Sequence, residues 1–345
     1  MSAPTSRRTP AEWEPHERTW MAFPPANDTF GAAGSETLEA ARAAWAHVAR
    51  TIARYEPLTL VADVGDASSA AALVSPDVTV LERALDDAWM RDAGPTFTIE
   101  ADGSLTAVDW VFNGWGGQAW ARWESDAGLG RFVAERAGAP ARSSMLTNEG
   151  GGIHVDGAGT VLLTETVQLD PGRNPGWTQA GVEAEIHAQL GTSHAIWVPR
   201  GLTRDYDEFG TRGHIDIVAA FVRPGVVAAH RQLDPAHPDF EVTREIIALL
   251  RRSTDASGHT LQVVEIPAPA VLEVDGEPVD YSYLNHYVGN GVVVVGTFDD
   301  PHDAGAIELL ARLYPGRTVE AADGRTIFGH GGGVHCITQQ QPAVG

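Results

Sequence analysis

TFTIEADGSLTAVDW, residues 96–110, reads as two short strands, TFTIE (96–100) and LTAVDW (105–110), folded back on each other through Asp102-Gly103. That dipeptide accepts the left-handed backbone a tight hairpin requires. A helical stretch follows near 125–137, and a short strand leads to Met145. The order hairpin, helix, strand then recurs along the chain. In the second copy IHV (153–155), Asp156-Gly157 and TVLLTET (160–166) precede a helix near 178–190, stopped by Gly191, and the strand AIWVP (195–199). The third copy runs IDIVAAFV (215–222), Pro224-Gly225, VVAAH (226–230), a helix near 240–252 and LQVVEIP (261–267). YSYLNHYV (281–288), Gly289-Asn290-Gly291, VVVVGTF (292–298), a helix from Pro301 and RTVEA (317–321) form the fourth.

The fifth copy is split between the two ends of the chain. VHCIT (334–338) supplies one strand and TWMAF (19–23) another. The helix between Ser35 and Tyr55 carries Leu38, Ala41, Trp45, Val48 and Ile52 on one stripe, and LTLVAD (58–63) closes the unit. Five units of about 69 residues fill the 345-residue chain. A repeat of this kind favours radial closure, because a ring hides the sheet edges, and pairing the two termini in one blade closes it. No linker rich in Pro or Ser interrupts the pattern, so residues 1–345 are expected to form a single domain.

Composition excludes several chemistries. There are 46 acidic and 24 basic residues, a formal charge of −22, which argues against nucleic acid and anionic membranes and favours cationic ligands. The sequence contains no lysine, which excludes a lysine Schiff base, a phosphate-loop lysine and a Ser–Lys dyad. No helical H-x-x-x-H or H-E-x-x-H run marks a metal site among the 13 His. No stretch is apolar for long enough to span a bilayer, and no apolar segment follows Arg7-Arg8 as in an export signal. The single cysteine, Cys336, cannot form an intramolecular disulfide; a free thiol fits a cytoplasmic protein. Such a residue is either an apolar filler or a nucleophile. Its setting in GHGGGVHCITQQ (329–340), beside His335, favours the nucleophile.

Other polar residues sit just before or at the first strand of successive units: Asp92, Glu149, and His214 with Asp216. Asp92 and Glu149 are 57 residues apart, Glu149 and His214 are 65 apart, and His214 and Cys336 are 122 apart, twice 61. EGGGIH (149–154) echoes HGGGVH (330–335). Equivalent positions in a ring point at one axis, so these side chains are expected to meet in a central pocket. There Cys336 is a soft nucleophile and His214 a general acid/base. Glu149 would orient the imidazole. Asp92 and Asp216 form a carboxylate pair suited to the planar N–H fork of a guanidinium, and Trp89 could stack on that cation. Singly, each residue has a plainer reading, as a surface ion pair for Asp92 after Arg91 or a satisfied structural pair for His214 and Asp216.

These segments resemble the agmatine deiminase family, within the pentein group of guanidine-modifying enzymes. The similarity spans TPAEWEPHERTWMAFP (9–24), DDAWMRDAGPTF (86–97), DWVFNGWGG (109–117), NEGGGIHVDGAGTVLLTET (148–166), PGRNPGWT (171–178), GHID (213–216) and GGGVHCITQQQP (331–342). The chain departs from the family pattern at Gly152 and Gly333, where Asn is usual, at Ile217, and at Phe23 in place of Trp. The resemblance implies an α/β fold of five ββαβ units in a pseudo-symmetric propeller. It implies hydrolysis of agmatine to N-carbamoylputrescine and ammonia, a step of putrescine and polyamine metabolism, without metal or organic cofactor. Cys336 would attack the guanidinium carbon, His214 would shuttle protons with Glu149 beside it, and Asp92 and Asp216 would bind the nitrogens. Trp89, Trp115 and Gly333 join them as substrate contacts. A deiminase acting on peptidyl arginine or free arginine is the nearest alternative; it would need an Arg at the pocket mouth, for which Arg173, Arg204 and Arg212 are candidates. A non-catalytic cation-binding protein and a thiol protease are the other readings, and a homo-oligomer is left open.

Overall fold

The computed structural model describes residues 7–271, 273–274 and 277–345. The domain reading 1–345 and the opening MSAPTS therefore extend beyond the described residues. Five sheets share one plan. In the first, Thr96–Ile99 pairs antiparallel with Leu105–Val111, which pairs parallel with Ala141–Thr147 after the helix Leu129–Arg136. A tight turn suffices for the antiparallel step, whereas the parallel step needs the helical crossover.

The second sheet holds Ile153–Val155, Thr160–Thr164 and His194–Val198, with the helix Gln179–Leu190 between the last two. Thr178 caps that helix by accepting from the Gly181 N–H, and Gly191 ends it at φ +72°. Ala219–Arg223, Val226–Arg231, the helix Asp239–Arg252 and Gln262–Pro267 make the third unit. Tyr287–Gly289, Val292–Thr297, the helix Asp303–Leu313 and Thr318–Asp323 make the fourth.

The fifth sheet joins the chain ends. Thr338–Pro342 pairs antiparallel with His16–Ala22, with Trp20 opposite Gln339. His16–Ala22 pairs parallel with Leu58–Ala62 across the helix Glu36–Ala53, and Thr79–Glu82 adds a fourth strand. Ser35 caps the helix by accepting from the Leu38 N–H, and the stripe Leu38, Ala41, Trp45, Val48 and Ile52 is fully buried. Middle strands are covered on both faces and so read as apolar runs; Val292–Val295 shows no exposure. No helix among the described residues is long and apolar enough to cross a membrane.

Three expected strands begin later than the sequence suggests. Ile215–Ile217 is a 3₁₀ turn and the strand starts at Ala219. Residues 281–286 form turns, leaving only Tyr287–Gly289 extended. Residues 334–337 are also a turn, and the strand starts at Thr338. These segments are buried on every side, so their apolar content carries no period-two alternation to distinguish strand from turn. Backbone bonds such as Val218 N–H to Ile215 O (3.0 Å) and Thr338 N–H to His335 O (3.1 Å) hold them. Together with the short helix Met90–Ala93 and the 3₁₀ turn Gly150–Gly152, they place a compact turn just before the first strand of every unit.

Candidate active site

Those five turns carry the site. Asp92 lies in the first, Glu149 precedes the second, His214 and Asp216 flank and occupy the third, Asn285 belongs to the fourth and Cys336 to the fifth. Hydrogen bonds tie neighbouring turns together: the Arg91 N–H donates to the Cys336 carbonyl at 3.0 Å, and the Gly151 N–H to the Asp92 carboxylate Oδ1 at 3.1 Å.

His214 Nε2 lies 3.1 Å from Glu149 Oε2, and its Nδ1 is 3.8 Å from Asp92 Oδ1. Cys336 Sγ is 3.5 Å from Asp216 Oδ2. A methyl group built on Gly151 would lie 2.5 Å from His214 Nδ1, 2.9 Å from Asp92 Oδ1 and 3.0 Å from Asp216 Oδ2. Gly151 is therefore the floor on which imidazole and both carboxylates converge. We expect Gly151→Ala to keep the fold yet cut turnover at least about 100-fold, since a displacement near 1 Å has that effect on a positioned site. Wild-type kinetics in this variant would show that the convergence is not the working geometry.

The sequence-level set thus comes together, with Asp92, Glu149, His214, Asp216 and Cys336 all at most 4% exposed. Trp115 joins them: its Nε1–H donates to Asp92 Oδ2 at 2.9 Å. It does so from a left-handed backbone (φ +54°) between Gly114 and Gly116, and stacks on Trp120 at 5.2 Å. The FNGWGG run is glycine-rich because this turn demands positive φ at four successive residues, Gly114 to Gly117. Trp89 is buried against Trp45, with ring centroids 5.6 Å apart, and borders the space above Gly332. Gly333 contributes through its backbone: its N–H bonds to the Cys336 sulfur.

The arginines considered for a pocket mouth each face a carboxylate of this chain. Arg173 is fully buried and locks Glu149, its Nε lying 3.0 Å from both carboxylate oxygens, with Nη1 on Asp170 at 2.9 Å. Arg212 pairs with Asp170 at 3.2 Å and Arg204 with Asp207 at 3.4 Å. Arg173 supports the site from behind, a role that sequence spacing could not distinguish from a mouth.

Other contributors escaped sequence reading. His335 bridges two carboxylates, with Nδ1 2.7 Å from Asp216 Oδ2 and Nε2 2.8 Å from Glu12 Oε1. Asp205 accepts from the Thr211, Gly213 and His214 N–H groups and fixes the loop entering His214. Asn285 fills the gap in the spacing between His214 and Cys336, the one available clue to it. The EGGGIH and HGGGVH echo also pairs His154 with His335, whose rings stack at 6.3 Å.

Charge balance sets the protonation states. Burial works to raise Glu149, but Arg173 and His214 hold it down at about 2. Burial pulls His214 down, yet Asp92, Glu149 and Asp216 outweigh it and push the imidazole to about 9. Burial lifts Asp92 to about 6, with Asp216 and Glu149 adding to it and His214 opposing. Asp216 stays below its usual value despite burial because His335 bonds to it. Burial and the charges of Asp216 and Asp92 drive the Cys336 thiol well above its usual range. At neutral pH the site is a protonated imidazole and a thiol facing acidic oxygens. Among the described residues, His214 Nδ1 and Asp216 Oδ1 are buried with no hydrogen-bond partner, and no three of His, Cys, Asp or Glu are arranged to hold a metal ion.

Buried carboxylates thus lie next to a sulfur and an imidazole, on the turns that precede the first strands of five sheets of one plan. The chain belongs to the Porphyromonas-type peptidyl-arginine deiminase family, whose model matches residues 8–342. Its relatives include proteins named agmatine deiminases. It is 60% identical over 99% of both chains to a provisionally named agmatine deiminase of Streptomyces avermitilis. It is 40% identical to the agmatine deiminase of Pseudomonas aeruginosa, again over 99% of both. The solved agmatine deiminase of Enterococcus faecalis superposes with a TM-score of 0.90 at 30% identity, over 99% of this chain and 98% of that one. The mixed α/β fold expected from the hairpin–helix–strand repeat is thus that of the agmatine deiminases.

Proposed function

We propose that this chain is an agmatine deiminase, hydrolysing agmatine and water to N-carbamoylputrescine and ammonia. One observation carries the reading: Asp92, Asp216, His214 Nδ1 and Cys336 Sγ border one buried space, with Asp216 Oδ1 and His214 Nδ1 without a hydrogen-bond partner. A planar cation with N–H groups on three sides complements that set. The Cys336 thiolate attacks the guanidinium carbon, and Asp92 and Asp216 hold the nitrogens as the carbon becomes tetrahedral. His214, anchored through Nε2 to Glu149, protonates the departing ammonia from Nδ1. The same nitrogen then takes one proton from water as the water attacks the covalent thiouronium; the thiolate leaves, and the remaining hydroxyl proton of the protonated urea passes to solvent, which gives the neutral urea product.

Three features support agmatine over an arginine substrate. The formal charge of −22 favours a dication. Arg173, Arg204 and Arg212 each face a carboxylate of this chain, as an α-carboxylate grip would not. The reacting groups are nearly closed off, which suits a small substrate better than a peptide. Residues 1–345 are read as one catalytic domain, its five units pseudo-symmetric about the site as in a pentein propeller. Ammonia release from agmatine, arginine and a peptidyl arginine assayed side by side tests the proposal. Release fastest from arginine would replace agmatine, and binding without release in wild type would make the chain a cation binder.

Thiol activation makes a separate prediction. The charges of Asp92 and Asp216 raise the thiol, so a bound guanidinium that neutralises them lowers it. Titrating the thiolate ultraviolet absorption, with Cys336→Ser as the blank, should show the apparent pKa falling by at least about one unit when a non-reacting guanidine binds. An unchanged midpoint would rule out activation by substrate.

A further inference from the structure

The fourth unit contributes no group to the mechanism above, yet its turn reaches the sulfur. Asn285 is fully buried. Its Oδ1 accepts from the His335 N–H at 2.9 Å and the Cys336 N–H at 3.4 Å. Its Nδ2 lies 3.2 Å from Cys336 Sγ. The two backbone donors decide which way the amide points, because the flipped form would set N–H against N–H. The amide group nearer the sulfur is therefore the donor. Gly333 makes room for it: a Cβ there would stand 2.4 Å from Asn285 Oδ1.

We propose that Asn285 is a further catalytic residue, the side-chain donor that holds the Cys336 sulfur and favours its thiolate against the neighbouring carboxylates. The protonated thiol has two acceptors at 3.5 Å, Asp216 Oδ2 and Asn285 Oδ1. Once the proton is gone, the sulfur becomes an acceptor and takes the Nδ2–H instead, alongside the Gly333 N–H. The charged groups around the sulfur come from every adjoining turn. Asp216 and Asp92 oppose the thiolate. His214 lies across the space above Gly151, and His335 is turned toward Asp216 and Glu12, with Arg91 3.4 Å from Glu12. Against two carboxylates, a neutral donor with fixed direction is the means this fold provides at the sulfur itself.

The proposal rests on Cys336 as the nucleophile and deepens that reading, but its readout does not need turnover. Thiolate absorption is titrated in wild type, Asn285→Ala and Asn285→Asp, with Cys336→Ser as the blank; in each case the proton goes to buffer. Ala removes the donor without adding charge, and Asp replaces the donor by an acceptor of nearly the same shape. The apparent pKa should rise in the order wild type, Ala, Asp. Below the midpoint, Asn285→Ala should hold at least about tenfold less thiolate than wild type. Its kcat should fall at least about tenfold with KM little changed. Titration of either folded variant at the wild-type midpoint would overturn the proposal, even if stability or KM had shifted, because a purely structural role moves those alone. If agmatine is not the substrate, wild type releases no ammonia from it, yet the ordered rise in midpoint persists; the two failures are thus distinguishable.

Discussion

Cys336→Ala should lower ammonia release from agmatine by at least about 10⁴-fold while leaving binding of the guanidine group nearly intact. The sulfur is the only soft nucleophile in the chain, and removing the nucleophile of a covalent mechanism leaves only the catalysis that binding and electrostatics supply. Binding should survive because the carboxylates that grip the cation are fixed independently of sulfur. Trp115 and the Gly151 N–H hold Asp92, and His335 holds Asp216. The turn carrying position 336 is kept by its backbone bonds to Arg91 and Asn285. His214→Gln should cost nearly as much, and the double variant little more than either, because groups that act as one unit are not additive. Calorimetry with agmatine beside the ammonia assay reads both quantities. Residual turnover within tenfold of wild type in Cys336→Ala would remove the covalent mechanism, whatever happens to binding.

Asp216→Asn should move two measurements in opposite directions. The carboxylate sits 3.5 Å from the sulfur and raises the thiol. Neutralising it lowers the thiol pKa in the substrate-free protein, so more thiolate is present at a given pH below the midpoint. Alkylation of Cys336 at neutral pH should then quicken, by about tenfold for each pH unit that the midpoint falls. Turnover of agmatine should nevertheless fall about 10²- to 10³-fold, the scale of losing one charged contact to the transition state. His335 keeps Glu12 as its second partner at 2.8 Å, which preserves the turn. A more reactive sulfur in a less active enzyme is hard to obtain by general loosening of the fold, and thermal melting separates the two. Asp216→Asn with slower alkylation would mean that the carboxylate assists thiol ionisation, against the charge argument.

The chain shows how far local pattern reaches. The Asp102-Gly103 hairpin, the apolar stripe from Leu38 to Ile52 and the cap at Gly191 were legible because each rests on neighbours in sequence: a turn, a 3.6-residue period, a left-handed stop. The site was legible for a related reason. The candidate residues precede the first strand of repeated units, so regular spacing reported their convergence. Reading failed where burial was complete. YSYLNHYV and VHCIT look like strands throughout because nothing in them alternates, yet residues 281–286 and 334–337 are turns and only the last residues of each are extended. Arg173 looked like a ligand for an outside carboxylate, because no sequence rule pairs it with Glu149, 24 residues away.

The sequence by itself determined the repeating unit, the set of polar residues that converge and the acidity that favours a cation, since these depend on residue type and short-range periodicity. Tertiary structure alone decided how those groups are ionised and aimed. The bridge from Glu12 through His335 to Asp216 and the amide of Asn285 against the sulfur each join residues dozens to hundreds of positions apart. The energy of such contacts depends on the direction and burial of each group, and only the folded chain sets those.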